Sequence, residues 1–181
     1  MSAEDRIHWD DRYLRAGPAP VDVAGPPLMF APYEDLFPTA GRALELTCGR
    51  GRGAVWLAGR GLDYRGFDIS PVAVGLAREL VERSGVGARC RFDVVDLDDG
   101  LPEGPPVDVV LCHFFRDPCL DRAIIQRLAP GGLLAIAVCS EADVGPGRFR
   151  ARRGELAAAF SELEVMAEAE RDGEAWLLAR R

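Results

Sequence analysis

The alternation of apolar and polar residues predicts strands and helices in turn from residue 42 onwards. Runs typical of buried strands are expected at 43–46, 63–67, 90–97, 107–114 and 133–140. Helical patterning and capping residues predict helices at 54–61, 71–84, 118–129 and 154–160. Strands that alternate with helices form a parallel sheet with right-handed crossovers. We therefore expect an α/β fold, doubly wound, with helices on both faces of a mostly parallel sheet.

The two ends of the chain follow different patterns. LEVMAEAE (163–170) and EAWLLAR (174–180) flank an Asp172-Gly173 turn, which predicts a C-terminal antiparallel hairpin. Residues 1–40 contain six prolines, which leave room only for a short helix over 5–14. The sequence thus predicts an irregular N-terminal arm, residues 1–40, and one folded domain over residues 41–181.

Composition excludes several function classes. The chain has 181 residues and a net charge of −7, and all 22 of its basic residues are arginine. An acidic chain without a basic run is a poor binder of nucleic acid, since phosphate neutralisation supplies most of that affinity. No apolar run approaches the roughly 20 residues of a membrane helix, and the charged N-terminus lacks a signal-peptide core. We expect a cytoplasmic protein, monomer or homodimer, without a membrane or nucleic-acid partner.

The cysteines give no sign of a metal site or of a disulfide framework. Five of them lie at scattered positions without a C-x-x-C pair, and the chain has only two histidines. They are typical of small buried residues in a reducing compartment, and we expect no bound metal.

Acidic residues follow three successive predicted strands. Glu45 precedes a glycine-rich turn that contains Gly49 and Gly51, Asp68 follows the second strand, and Asp96 follows the third. In an open α/β sheet, ligands bind outside the carboxyl ends of the strands. Three carboxylates at one edge favour a ligand that has a cationic amine and ribose hydroxyls.

A dinucleotide site is the alternative. Gly49-x-Gly51-x-x-Ala54 satisfies the G-x-G-x-x-G/A pattern, and Asp68 lies about 20 residues further on, where an NAD ribose acid is expected. A charged Glu45 in the turn argues against it, because it would repel a pyrophosphate. The terminal hairpin also differs from two stacked mononucleotide-binding halves. An NAD(P)-linked oxidoreductase therefore remains the second hypothesis.

The chain resembles the class I S-adenosylmethionine-dependent methyltransferases in an ordered set of motifs, LELTCGRGRG (44–53), FDIS (67–70), VVDL (94–97), VDVVLCHF (107–114) and LAPGGLLAIAV (128–138). The resemblance implies that Asp68 binds the ribose hydroxyls of the cofactor and that Ile69 lies against its adenine. The full set of implied cofactor-binding residues is Trp9, Tyr13, Glu45, Thr47, Cys48, Gly49, Gly51, Asp68, Ile69, Ser70, Asp96, Leu97, Cys112 and His113. One position departs from the family, which has glycine where this chain has Thr47.

A narrower resemblance is to the tellurite-resistance and thiopurine S-methyltransferase group. HWDDRY (8–13) and GPPLMF (25–30) are similar to N-terminal segments of that group. The similarity implies that Trp9 and Tyr13 lie over the cofactor and that residues 8–30 cap the acceptor site. The implied acceptor pocket contains Met29, Phe30, Phe114 and Phe115, although strand alternation lets only one of the last two face the ligand.

The resemblance leads to a functional expectation. We expect transfer of a methyl group from S-adenosylmethionine to a small-molecule acceptor such as a thiol, with S-adenosylhomocysteine as product. His113 is the best-placed general base, but a role in hydrogen bonding or stacking is the alternative. A methyltransferase-like protein that binds the cofactor without turnover is a third hypothesis, which Thr47 keeps open.

Overall fold

Eight strands form a single mixed sheet in the computed structural model, which describes residues 3–21, 25–142 and 145–181. The helices are α1 (Ala3–Ala16), α2 (Arg52–Gly59), α3 (Pro71–Arg83), α4 (Asp121–Arg127) and α5 (Glu155–Ala159). The strands are β1 (Arg42–Leu46), β2 (Asp63–Asp68), β3 (Cys90–Val94), β4 (Val107–His113), β5 (Leu128–Ser140), β6 (Arg150–Ala151), β7 (Glu164–Arg171) and β8 (Glu174–Arg180). A 3-10 segment, Leu28–Leu36, belongs to the N-terminal arm.

The strand order is β3-β2-β1-β4-β5-β8-β7, and the short β6 pairs with the end of β5. The first five strands pair in parallel, while β8 is antiparallel to both β5 and β7. The predicted doubly wound sheet with a C-terminal hairpin is confirmed. The reversal of strand order between β1 and β4 opens a crevice at their carboxyl ends, where ligands of such sheets bind.

The sheet has a hydrophobic core on each face. The first core cluster contains Leu46 and Phe67 of the sheet with Ile124 of α4 and Leu156 of α5. The second core cluster packs α2 and α3 against the other face, with Trp56 and Leu80 at its centre. Neighbouring strand residues alternate between the clusters, as the pleat requires.

Two predicted elements end earlier than expected, each for a local reason. The strand expected over 90–97 stops at Val94, because Asp96 caps a 3-10 turn by accepting the amide of Asp98 at 3.0 Å. The helix expected over 118–129 ends at Arg127, because Leu128 already pairs with Val107 as the first residue of β5.

The N-terminal arm divides between the two faces of the sheet. Trp9 of α1 packs against the first core cluster, whereas Phe30 of the 3-10 segment is fully buried in the second. Residues 22–24 of the predicted cap lie outside the described residues. Across the described ranges, no helix is long and apolar enough to span a bilayer. Nor do three or more His, Cys, Asp or Glu side chains come together there as metal ligands.

Candidate active site

The carboxylate of Asp68 joins the turns that follow β1 and β2. Its Oδ2 accepts the amide of Gly49 and its Oδ1 accepts the amide of Ser70, both at 2.9 Å. The side chain is only 4% exposed. Burial raises the pKa of Asp68 to about 6, against the lowering effect of the two amides, and the nearby Asp10 adds to the rise. Asp68 is therefore mostly ionised at neutral pH and lies at the centre of the crevice edge.

The turn after β1 has a shape that only small residues allow. Gly49 and Gly51 have φ values of 51° and 81°. A Cβ at Gly51 would lie 2.9 Å from the backbone of Ala77 in α3, and one at Gly49 would lie 3.1 Å from the Tyr13 hydroxyl. The turn thus presents backbone without side chains at the edge of the sheet, which lets a ligand approach the backbone closely.

Glu45, which was expected to contact the cofactor, lies beneath this turn and contacts Tyr64 instead. It is 5% exposed, and its Oε2 accepts the hydroxyl of Tyr64 at 2.5 Å. A Cβ on Gly53 of α2 would come within 2.3 Å of the same oxygen. Burial raises the pKa of Glu45 to about 8, although the Tyr64 hydrogen bond opposes the rise, and Asp68 adds to it. Glu45 is thus largely neutral at physiological pH.

Sequence reasoning missed Tyr64. Its ring fits because Gly66, two residues later in β2, has no side chain there: a Cβ on Gly66 would lie 2.7 Å from the Tyr64 hydroxyl. Gly66 pairs with Glu45 in the sheet. A tyrosine two residues before a glycine, in the strand next to a buried acid, is the signal that could have found it.

Helix α1 lies over the carboxyl ends of β1 and β2. Asp10 Oδ1 accepts the Ser70 hydroxyl at 2.5 Å and the Val72 amide at 3.4 Å. Trp9 and Tyr13 stack with their ring centroids 5.8 Å apart. Burial and the negative charge of Asp68 raise the pKa of Tyr13. The structure therefore brings Tyr13 to the glycine turn, with Trp9 stacked on it, and it adds Asp10, which sequence reasoning missed.

Two arginines hold the ends of α1 in place. Arg50 of the glycine turn donates from Nη1 to the carbonyls of Ala16 and Gly17, at 3.3 and 2.9 Å. Arg148 lies 2.6 Å from Asp5 in the first turn of α1.

The apolar residues expected near an adenine occupy the first core cluster. Ile69 and Leu97 are both buried there, next to the ends of β2 and β3. Asp96 is half-buried between them and the solvent. These three residues lie at the same sheet edge as Asp68, since β2 pairs with β3 from Tyr64 to Asp68.

The end of β4 contains an unsatisfied imidazole. His113 Nε2 is buried and has no hydrogen-bond partner among the described residues. Burial lowers the pKa of His113 to about 4, and the positive charge of Arg52 lowers it further. The ring stacks on Phe114 with centroids 4.1 Å apart. The preceding Cys112 is buried, and its thiol lies 3.2 Å from the Phe115 carbonyl.

The four residues expected to line the acceptor pocket lie in different parts of the structure. Phe114 is 43% exposed beside His113, with a positive φ of 61°. Phe115 points into the core, where its ring meets Phe149 at 5.2 Å. Phe30 packs edge-on against Trp176 at 5.8 Å in the second core cluster and cannot line an open pocket. Met29 is partly buried against the same cluster. Phe114 alone of the four has an exposed ring at the crevice edge.

Comparison with known proteins gives a consistent result. Residues 43–132 match the family model described as a methyltransferase domain. Methyltransferase GfsG of Streptomyces halstedii is 32% identical over 141 residues, which cover 74% of this chain and 50% of that protein. The chain thus spans about half the length of this curated relative.

Solved structures share the fold at low sequence identity. TehB from Haemophilus influenzae superposes with a TM-score of 0.72 at 18% identity, over 97% of this chain and 66% of that chain. An S-adenosylmethionine-dependent methyltransferase from Mesorhizobium loti gives 0.69 at 16% identity, over 90% of this chain and 100% of that chain. At these identities the superpositions establish the fold alone.

Proposed function

The chain belongs to the methyltransferase family that residues 43–132 match, and we propose that it uses S-adenosylmethionine to methylate a small-molecule acceptor through a soft nucleophile such as a thiol. The observation that carries this proposal is the buried carboxylate of Asp68, which ties the glycine turn to the end of β2. Each carboxylate oxygen has a second lone pair beyond the one that accepts a backbone amide, so Asp68 would be able to accept hydrogen bonds from a pair of ribose hydroxyls.

The residues of the site fit the cofactor. The glycine turn exposes backbone where a side chain would otherwise take up the space, and this backbone would hold the methionine end of the cofactor. Asp68 would hold the ribose, and Ile69 with Leu97 would contact the adenine. Trp9 and Tyr13 would cover the cofactor from α1, so that residues 1–40 act partly as a cap on the domain formed by residues 41–181. When bound, S-adenosylmethionine supplies an electrophilic sulfonium methyl group.

The chain itself must align the acceptor and exclude water. His113 stays neutral above about pH 5, because burial and Arg52 keep its pKa near 4. A base with so low a pKa gives little driving force for removing a proton from a hydroxyl. This supports an acceptor such as a thiol, which ionises with little help, and we expect His113 to orient it.

Charge supports a small acceptor. The chain carries a net charge of −7 and no lysine, and its arginines near α1 bind carbonyls and carboxylates of the chain itself. A polyanionic nucleic acid would find few phosphate partners here.

Replacement of Asp68 tests the proposal. Asp68→Ala should weaken S-adenosylmethionine binding by about 1.5–3 kcal/mol, the range for hydrogen bonds to a charged group. Isothermal titration calorimetry measures this loss, and circular dichroism checks the fold. Asp63→Ala is the matched control, since Asp63 lies at the opposite end of β2 and only pairs with Arg89 at the surface. Equal affinity of folded Asp68→Ala and wild type would refute the assignment.

A further inference from the structure

Two buried acids, Glu45 and Asp68, lie beneath the glycine turn, and contact with a ligand would account for only one of them. Asp68 reaches the crevice edge, but Glu45 is enclosed by Tyr64, Gly53 and the turn itself. Glu45 therefore influences a ligand at the crevice through its charge rather than through direct contact.

The titratable groups that face Glu45 and Asp68 are acids, tyrosines and cysteines. Tyr64, Cys48 and Cys112 face Glu45, while Asp10, Tyr13 and Cys48 face Asp68. The positive charges nearby belong to Arg12 and Arg50, which act on Tyr13. Among the described residues, neither carboxyl group has a hydrogen bond or ion pair with an arginine. The nearby Arg50 directs its guanidinium to the carbonyls at the end of α1. Within the described residues, two carboxyl groups in low dielectric therefore have no cation paired with them.

We propose that Glu45 gives up a proton to the solvent when the cationic cofactor binds, and that Tyr64 is the positioning residue that holds Glu45 for this exchange. The inference rests on the proposed function, because the cofactor provides the positive charge. The step is a proton transfer alone: the carboxylic acid becomes a carboxylate, buffer takes the proton, and no bond forms to the cofactor.

Two features of the geometry suit this exchange. The carboxyl group of Glu45 occupies the space that a Cβ on Gly53 would fill, and it lies there within hydrogen-bond distance of the Tyr64 hydroxyl. The Tyr64 hydroxyl, at 2.5 Å, donates to the carboxylate once it forms. The pKa of Glu45, raised to about 8 by burial, means that the acid is protonated before binding at neutral pH. A positive charge close by favours its ionised form.

The sign of the pH dependence follows. Near neutral pH, binding of the cation must first remove the proton, which costs affinity. The cost falls as pH rises to the pKa of free Glu45, so affinity for S-adenosylmethionine should increase roughly tenfold between about pH 7 and pH 9. S-adenosylhomocysteine carries the same amino-acid end without the sulfonium charge, and its affinity should change less.

Calorimetry in buffers of different ionisation enthalpy counts the protons directly. At about pH 7.5 an acid with a pKa of about 8 is about three-quarters protonated, so for wild type we expect S-adenosylmethionine to release up to about three-quarters of a proton more than S-adenosylhomocysteine does. Glu45→Gln should abolish this difference. Glu164→Gln, which removes an exposed carboxylate of β7, should leave it unchanged.

Tyr64→Phe separates positioning from general stability. The ring keeps its packing against Phe92, 5.5 Å away, while the ionised carboxylate loses its donor. Affinity for S-adenosylmethionine near neutral pH should fall about tenfold, and the pH profile should move to higher pH. A purely structural role would lower stability without moving the profile. Tyr33→Phe removes a hydroxyl elsewhere and is the control.

The outcomes distinguish the two proposals. If neither ligand binds to wild type, the proposed function fails. If both bind with equal proton release and parallel pH profiles, the function stands and the role of Glu45 is refuted. The wild-type measurements decide this even if Glu45→Gln does not fold.

Discussion

Thr47 is the most unusual single residue of the site. It has a φ of 59° at the start of the glycine turn, a conformation that β-branched residues rarely adopt. Its hydroxyl lies 2.6 Å from the Leu46 carbonyl, to which it donates. The left-handed conformation costs a residue other than glycine about 1–2 kcal/mol. Such strain is concentrated at functional turns, which agrees with the position of Thr47 beside Gly49.

Replacing Thr47 by glycine should therefore stabilise the protein. Thr47→Gly removes the backbone strain, while the greater freedom of glycine in the unfolded chain offsets part of the gain, so we expect up to ~1 kcal/mol in urea unfolding. Thr47→Ala keeps the Cβ and should give no gain. A lower unfolding free energy for Thr47→Gly would mean that the Leu46 hydrogen bond outweighs the strain.

Single side chains also mark where sequence reasoning fails. The sequence places Glu45 correctly at the end of β1, but not its neighbour Tyr64, because the contact depends on strand register and on the missing side chain of Gly66. The argument that a charged Glu45 repels a pyrophosphate stays a prediction, because burial raises the pKa of Glu45 to about 8. The match of residues 43–132 to a methyltransferase domain is the finding that favours the methyltransferase over the oxidoreductase.

At the level of elements, periodic segments are predictable and their docking is not. Helix α3 begins at Pro71 as predicted, because the Ser70 hydroxyl accepts the amide of Ala73 at 3.0 Å. Helix α1 is also predicted, but its position over the crevice depends on Arg50 and Arg148, distant in sequence. The segment Leu28–Leu36 carries no helical periodicity and is ordered by contacts with Trp176 and Phe37.

Two truncations should separate the parts of the arm. Removal of residues 1–17 takes away α1 and leaves Phe30 in the core, so the domain should fold and bind S-adenosylmethionine at least tenfold more weakly. Removal of residues 1–30 also deletes Phe30, which should cost about 3–5 kcal/mol in unfolding free energy. Chemical denaturation and calorimetry measure both. Equal stability of the two truncations would show that Phe30 contributes little to the core.

At the scale of the whole molecule, the alternating pattern predicts a doubly wound sheet but does not fix the order of its strands. Short connections and right-handed crossovers leave few topologies, and the Asp172-Gly173 turn fixes the final hairpin. The pattern does not reveal the extra strand β6 or the length of β5. Both depend on pairing between segments that are far apart in sequence.

The buried acids should make the stability of the whole molecule depend on pH. Glu45 has a pKa of about 8 when folded and about 4.3 when unfolded, so the folded chain holds the extra proton between these values. Its contribution to stability is complete below about pH 4.3 and is lost as pH rises through about 8, with a slope near 1.4 kcal/mol per pH unit. Asp68 acts in the same direction between about pH 3.9 and pH 6.

Urea unfolding at several pH values checks this dependence. Glu45→Gln should flatten the fall in unfolding free energy between about pH 6 and pH 7, above the range in which Asp68 contributes, whereas Glu164→Gln should retain it. Identical slopes in wild type and Glu45→Gln would show that Glu45 is ionised in the folded protein.

The division of the arm between the two faces gives the protein a natural optical reporter. Of its three tryptophans, Trp56 is buried in the second core cluster, Trp176 is partly buried against the same cluster, and Trp9 lies on α1 beside the crevice. Movement of α1 should therefore change the emission and the collisional quenching of Trp9, while the ring contacts of Trp176 with Phe30 and Tyr33 and the burial of Trp56 stay the same. Stopped-flow fluorescence of the unlabelled chain can then resolve how fast α1 opens and closes, with Trp9→Phe as the dark reference.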